Sequence, residues 1–148
     1  MKTLEFTVVI DADRETVWKT MLTLETYEKW AAPFCEGSTY EGSWEEGACI
    51  HFLAPGGDGM ISVIAENRPF EFISIKHLGE IKNGIEDTES EEVRKWAPCF
   101  ENYHFTDRGG STEVKAVLDT LPCYEEFMTD AWPKAFAVLK SLSESAKA

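Results

Sequence analysis

Basic side chains are scarce in this sequence: 14 Lys and Arg stand against 27 Asp and Glu, leaving a formal charge of −13 over 148 residues. Such an excess repels phosphate backbones and anionic bilayer surfaces, which argues against nucleic acid and membranes as partners. Long apolar runs are also lacking. No stretch approaches the roughly 18 consecutive apolar residues of a membrane span, and Lys2 and Glu5 break the opening segment where a secretion signal would be apolar. A cytoplasmic protein is the expectation. Cysteine is sparse and scattered: Cys35, Cys49, Cys99 and Cys123 form no Cys-x-x-Cys pair, and no Asn-x-Ser/Thr acceptor accompanies them. Reduced thiols packed as small hydrophobes are expected, in preference to disulfides or zinc ligands. What the chain does have is apolar material, 43% of residues, with five Trp and nine Phe. That suffices for one buried core, and the length suits a single domain over residues 1–148.

The pattern changes period along the chain. Leu4, Phe6, Val8 and Ile10 share one parity, as in a half-buried strand. Asp13 is placed to cap a helix with Val17, Trp18, Met21 and Leu22 on one face; Leu24, Tyr27 and Trp30 continue into a second short helix that Pro33 ends. This helix-turn-helix shape has no basic face with which to read DNA. From Gly37 to Thr120 the apolar residues alternate, between turns at Gly42, Glu46-Gly47, Gly56-Gly57-Asp58-Gly59, Arg68-Pro69 and Asp107-Arg108-Gly109-Gly110. Six strands are expected there, at 38–42, 49–54, 60–66, 70–78, 99–106 and 112–119, making seven with the first in an antiparallel meander. The Gly56–Gly59 loop joins strand to strand and lacks the Lys-Ser/Thr of a P-loop, which argues against phosphate binding.

Met128, Trp132, Ala135, Phe136, Leu139 and Leu142 recur at three- and four-residue intervals, the stripe of a long C-terminal helix that covers the sheet. Pro133 predicts a kink, or a break with a second helix starting there. Residues 80–95, with Glu86, Asp87, Glu89, Glu91 and Glu92, read as an acidic insertion loop with one helical turn from Ser90 to Trp96. It is either a solvated insertion or a docking surface for a basic protein partner.

Ile10-x-Ala12 followed by Val17-Trp18, then Trp30, Gly42-x-x-x-x-Gly47, Gly59 before a strand, Gly110-x-Thr112, and a closing Trp132 with Leu139 and Leu142 carry a family resemblance. The chain resembles the START-like (SRPBCC) superfamily, and within it the branch similar to the activator of the 90-kDa heat-shock protein ATPase. The resemblance covers nearly the whole chain. It implies an α+β helix-grip fold: a seven-stranded curved antiparallel sheet wrapped around a long C-terminal helix, with two short helices after the first strand. The superfamily's lipid and hormone binders, polyketide cyclases and co-chaperone domains share that fold without sharing a function.

A curved sheet gripping one helix leaves room for an elongated apolar cavity. Parity assigns its lining: Val114, Ala116 and Leu118 face inward on the last strand, Glu101, Tyr103 and Phe105 on the strand before it, and Ile73, Ile75 and His77 two strands earlier. His77, Glu101 and Tyr103 would then be the polar groups of a greasy pocket, or else a satisfied histidine, a solvated rim carboxylate and a core phenol. Trp30, Phe34, Met128, Trp132 and Phe136 lie on the elements that roof it. His51 and His104 fall on the outer face, so a three-histidine metal site is not formed, and no metal or cofactor is implied. Three functional readings stand: a binder of a small apolar molecule, a cyclase- or hydrolase-like enzyme in which Glu101 or His77 moves a proton, and a chaperone-related interaction module using the acidic loop. The oligomeric state is open between monomer and homodimer.

Overall fold

The computed structural model describes residues 1–146. β1 (Lys2–Ile10) turns Leu4, Phe6, Val8 and Ile10 inward, as its alternation requires. The Asp13 carboxylate accepts the Thr16 N–H at 2.8 Å and so starts α1 (Arg14–Leu22), and α2 (Leu24–Trp30) follows directly. The carbonyls at the end of α1 have no partner within the helix, and three aromatic donors take them. Trp30 Nε1 donates to Met21 O at 2.9 Å; Tyr40 OH and Trp44 Nε1 donate to Leu22 O at 2.6 and 3.0 Å.

Then come β2 (Thr39–Gly42), β3 (Cys49–Ala54), β4 (Asp58–Arg68), β5 (Phe72–Lys82), β6 (Ile85–Asp87), β7 (Cys99–Asp107) and β8 (Thr112–Thr120). The sheet runs β1-β8-β7-β5-β4-β3-β2, all antiparallel, with β6 added beside β5. Among the described residues there are thus eight strands rather than seven. The extra one lies inside the acidic stretch expected to be a loop, because Asn83 and Gly84, at φ 52° and 79°, make a two-residue hairpin turn with both residues left-handed. Gly79 lets the returning chain come close: a Cβ there would lie 2.3 Å from Asp87 O. The helical turn of that stretch is present as α3 (Glu91–Arg94), capped by Ser90.

After a 3-10 turn (Pro122–Tyr124), α4 (Glu125–Ala146) crosses the concave face and buries Ala131, Trp132, Ala135, Phe136 and Leu139. It runs unbroken through Pro133, correcting the expected division. Trp132 and Phe136, anchored in the core on either side of the proline, hold the helix to its path despite the missing backbone donor. The four cysteines are unpaired, but only Cys99 is buried; Cys35, Cys49 and Cys123 are exposed, so packing as small hydrophobes applies to one of them. Among the described residues no helix is long and apolar enough to cross a membrane.

Candidate functional site

Between the sheet and its roof lie two adjoining hollows. The inner one, about 130 Å³, is walled by Tyr27, Trp30, Phe34, Trp44, Phe52, Tyr103 and Trp132, with Ala31 and Ser38. The outer one, about 540 Å³, opens past Trp96, Leu121, Tyr124 and Phe127. Met60, His77, Glu101, Leu118 and Met128 border both, and so form the partition between them.

The aromatic wall follows from the end of α1. Because the donors of Trp30, Tyr40 and Trp44 are bound to its carbonyls, these rings are held in place and turn carbon surfaces toward their neighbours. Tyr27 packs edge-on against both Trp30 and Tyr40, each with ring centroids 5.2 Å apart. Burial first, and then the Glu101 charge and Tyr40, push the Tyr27 phenol well above its ordinary range, so it stays protonated. Across the hollow Trp132, 2% exposed, meets Phe34 edge-on at 4.9 Å and Tyr103 at 5.9 Å.

The partition carries a polar chain. His77, 6% exposed, sits opposite Ser62 in the β4–β5 register, and Ser62 Oγ lies 2.7 Å from its Nδ1. Its Nε2 lies 3.0 Å from Glu101 Oε1, and the Tyr103 hydroxyl donates to the other oxygen, Glu101 Oε2. A carboxylate can only accept, so the network assigns the proton to Nε2; in the neutral ring Nδ1 then accepts from the Ser62 hydroxyl. Ser62 is fully buried and borders neither hollow, so it orients the imidazole and cannot reach a guest. Glu101 uses one lone pair on each oxygen, keeping acceptor capacity for something in the cleft.

His77, Glu101, Tyr103, Trp30, Phe34, Met128 and Trp132 are thus brought around one space. Ile73, Ile75, Phe105 and Phe136 are buried in the core and border neither hollow; Phe105 packs on Trp18 at 5.1 Å instead. His104 is exposed on the outer face, and its ring lies 4.7 Å from that of Phe72. Sequence reasoning missed Tyr27, Trp44, Phe52, Met60 and Ser62 as site residues. Met60, Ser62 and Ile64 share one parity of β4, and extending strand alternation to this strand was the available signal.

It missed Glu80 for a different reason. Register pairs Met60 with Glu80 and Ile61 with Gly79, but Ser62 with His77, leaving Leu78 as an extra residue in β5. This bulge reverses the parity of β5 beyond it, so Glu80 shares the concave face with Met60 and borders the outer cleft. Cys99 borders that cleft too; burial first, then the Glu101 and Asp119 charges, push its thiol up to about 12, leaving it no thiolate for nucleophilic chemistry at neutral pH. Among the described residues no three His, Cys, Asp or Glu side chains cluster as metal ligands.

No family model matches the chain, and no curated protein matches it. Solved structures do. Protein MLL2253 from Mesorhizobium loti is similar with a TM-score of 0.72 at 13% identity, over 95% of this chain and 96% of that one. The Aha1 dimer from Colwellia psychrerythraea is similar at 0.64 and 18%, over 98% and 96%. DynU16, from the dynemicin biosynthetic locus, is similar at 0.71 and 12%, over 99% of this chain and 48% of its own. At these identities the likeness is one of fold, and it establishes the helix-grip architecture.

Proposed function

We propose that this helix-grip chain binds a small, largely apolar molecule whose body lies in the outer cleft and reaches the aromatic hollow, with one polar group on Glu101. The observation that carries this reading is the shared partition. The inner hollow alone is the size that holds a benzene-like ring, whereas the outer cleft falls in the range of small-molecule sites, about 300–1,000 Å³. Met60 and Met128, unbranched and half-buried between them, are side chains that reshape to fit a guest. DynU16, of a biosynthetic locus, shares the fold, which is compatible with a small-molecule role.

The test is titration with the neutral fluorophore N-phenyl-1-naphthylamine. Saturable one-to-one binding is expected, lost in Met60→Trp, which plugs the partition, while thermal unfolding of the variant stays cooperative. Absence of saturable binding, or binding unchanged by Met60→Trp, would overturn the reading.

A second reading draws on the Glu101 carboxylate itself: its hydrogen bonds with His77 and Tyr103 and its position at the cleft wall support a general base acting on an acidic C–H of the guest. Deuterium exchange into 2-tetralone in D2O, followed by NMR, tests it. A base predicts catalysed exchange that falls about a hundredfold in Glu101→Gln; a binder alone gives no catalysed exchange.

A further inference from the structure

Carboxylates outnumber cations on the cleft wall: Glu80, Glu101 and Asp119 border it, against the α-ammonium of Met1. Glu80 and Glu101 stand on its concave face, and no Lys or Arg among the described residues borders it. The third acid at its edge, Asp119, directs its carboxylate elsewhere, to the Thr3 hydroxyl at 2.9 Å. Glu80 has no hydrogen-bond or ion-pair partner for its side chain among the described residues, and a bulge in β5 is what turns it inward. The mouth adds aromatic surface, with Tyr124 53% and Phe127 47% exposed. Carboxylates set in an aromatic, apolar wall repel a lipophilic acid and attract a lipophilic cation, whose charge also gains from the ring faces.

From this we infer that the cleft selects a protonated amine or quaternary ammonium on an apolar body, its cationic head between Glu80 and Glu101. The inference rests on the binding reading above and names the ligand class for that same site. The probes are decyltrimethylammonium, decanol and decanoate, below their micellar concentrations, each titrated by calorimetry and by methyl NMR in 0.15 M salt. The cation is expected to bind about tenfold more tightly than the alcohol, and the anion more weakly than either. In Glu80→Gln/Glu101→Gln this order is expected to collapse to within about twofold, whereas Glu89→Ser/Glu91→Ser/Glu92→Ser, which removes three charges outside the cleft, retains it. Equal affinity for the three probes, or a preference abolished by the remote triple variant but kept by the double, would overturn the cation inference and leave the binding reading standing. No saturable binding of any probe would overturn both.

Discussion

In the wall of the inner hollow Trp30, Trp44 and Tyr103 already spend their polar atoms within the protein and the Trp132 indole N–H is buried without a partner, whereas the mouth of the outer cleft presents rings and carboxylates that still face solvent. Trp30, Tyr40 and Trp44 give their donors to the last carbonyls of α1, so shape on that side is set when the chain folds. Tyr124 and Phe127 are half exposed, and among the described residues their one ring contact is a distant one, Phe127 to Phe34 at 6.4 Å. The difference teaches that one region supplies stability and fit, the other access and choice. The polar chain on the partition belongs to both, since Ser62 lies in the core and Glu101 at the cleft.

If this division is right, truncating the two walls should give opposite results. Trp132→Ala should lower unfolding free energy by about 3–5 kcal/mol in urea denaturation. Phe127→Ala should cost less than about 1 kcal/mol, yet weaken N-phenyl-1-naphthylamine binding. Equal stability losses would erase the distinction between the regions. Ser62→Ala sharpens it: the buried imidazole loses the donor to Nδ1, for a cost of about 1–3 kcal/mol, and the ¹⁵N signal of Nδ1 should shift while the Nε2–H form, held by Glu101, persists.

The smallest effect lies outside both regions. Partial desolvation of its ring first, then the Lys115 and Arg68 charges, hold the otherwise exposed His104 below its ordinary value of 6.5. The unfolded chain therefore takes up a proton there before the folded one does, so stability present above pH 6.5 declines as pH falls through the lowered folded value. His104→Gln should flatten the stability profile in that window, read from urea midpoints between pH 7 and 5.

Much of this comparison was legible in the sequence. Parity alone placed His77, Glu101 and Tyr103 on one face, because strand alternation decides the face wherever register is regular. It could not place Glu80, since a bulge is set by packing between strands and leaves no mark in hydrophobic alternation. The eighth strand was legible in principle: Asn83-Gly84 is a strong hairpin signal, overlooked amid the surrounding acids. The capture of Met21 and Leu22 carbonyls by three distant aromatic residues was not, being a tertiary solution to an unsatisfied helix end. Continuity of α4 through Pro133 is likewise a matter of packing overriding local preference.

The central claim is that one guest touches the wall common to both hollows. Its most direct test follows the methyl signals of Met60 and Met128 and the ring signals of His77 while N-phenyl-1-naphthylamine is added. The account expects all three to shift along one saturation curve, at the same ligand concentration that saturates the fluorescence. Saturation with those signals unmoved, and shifts confined to residues remote from the partition such as α3, would contradict it.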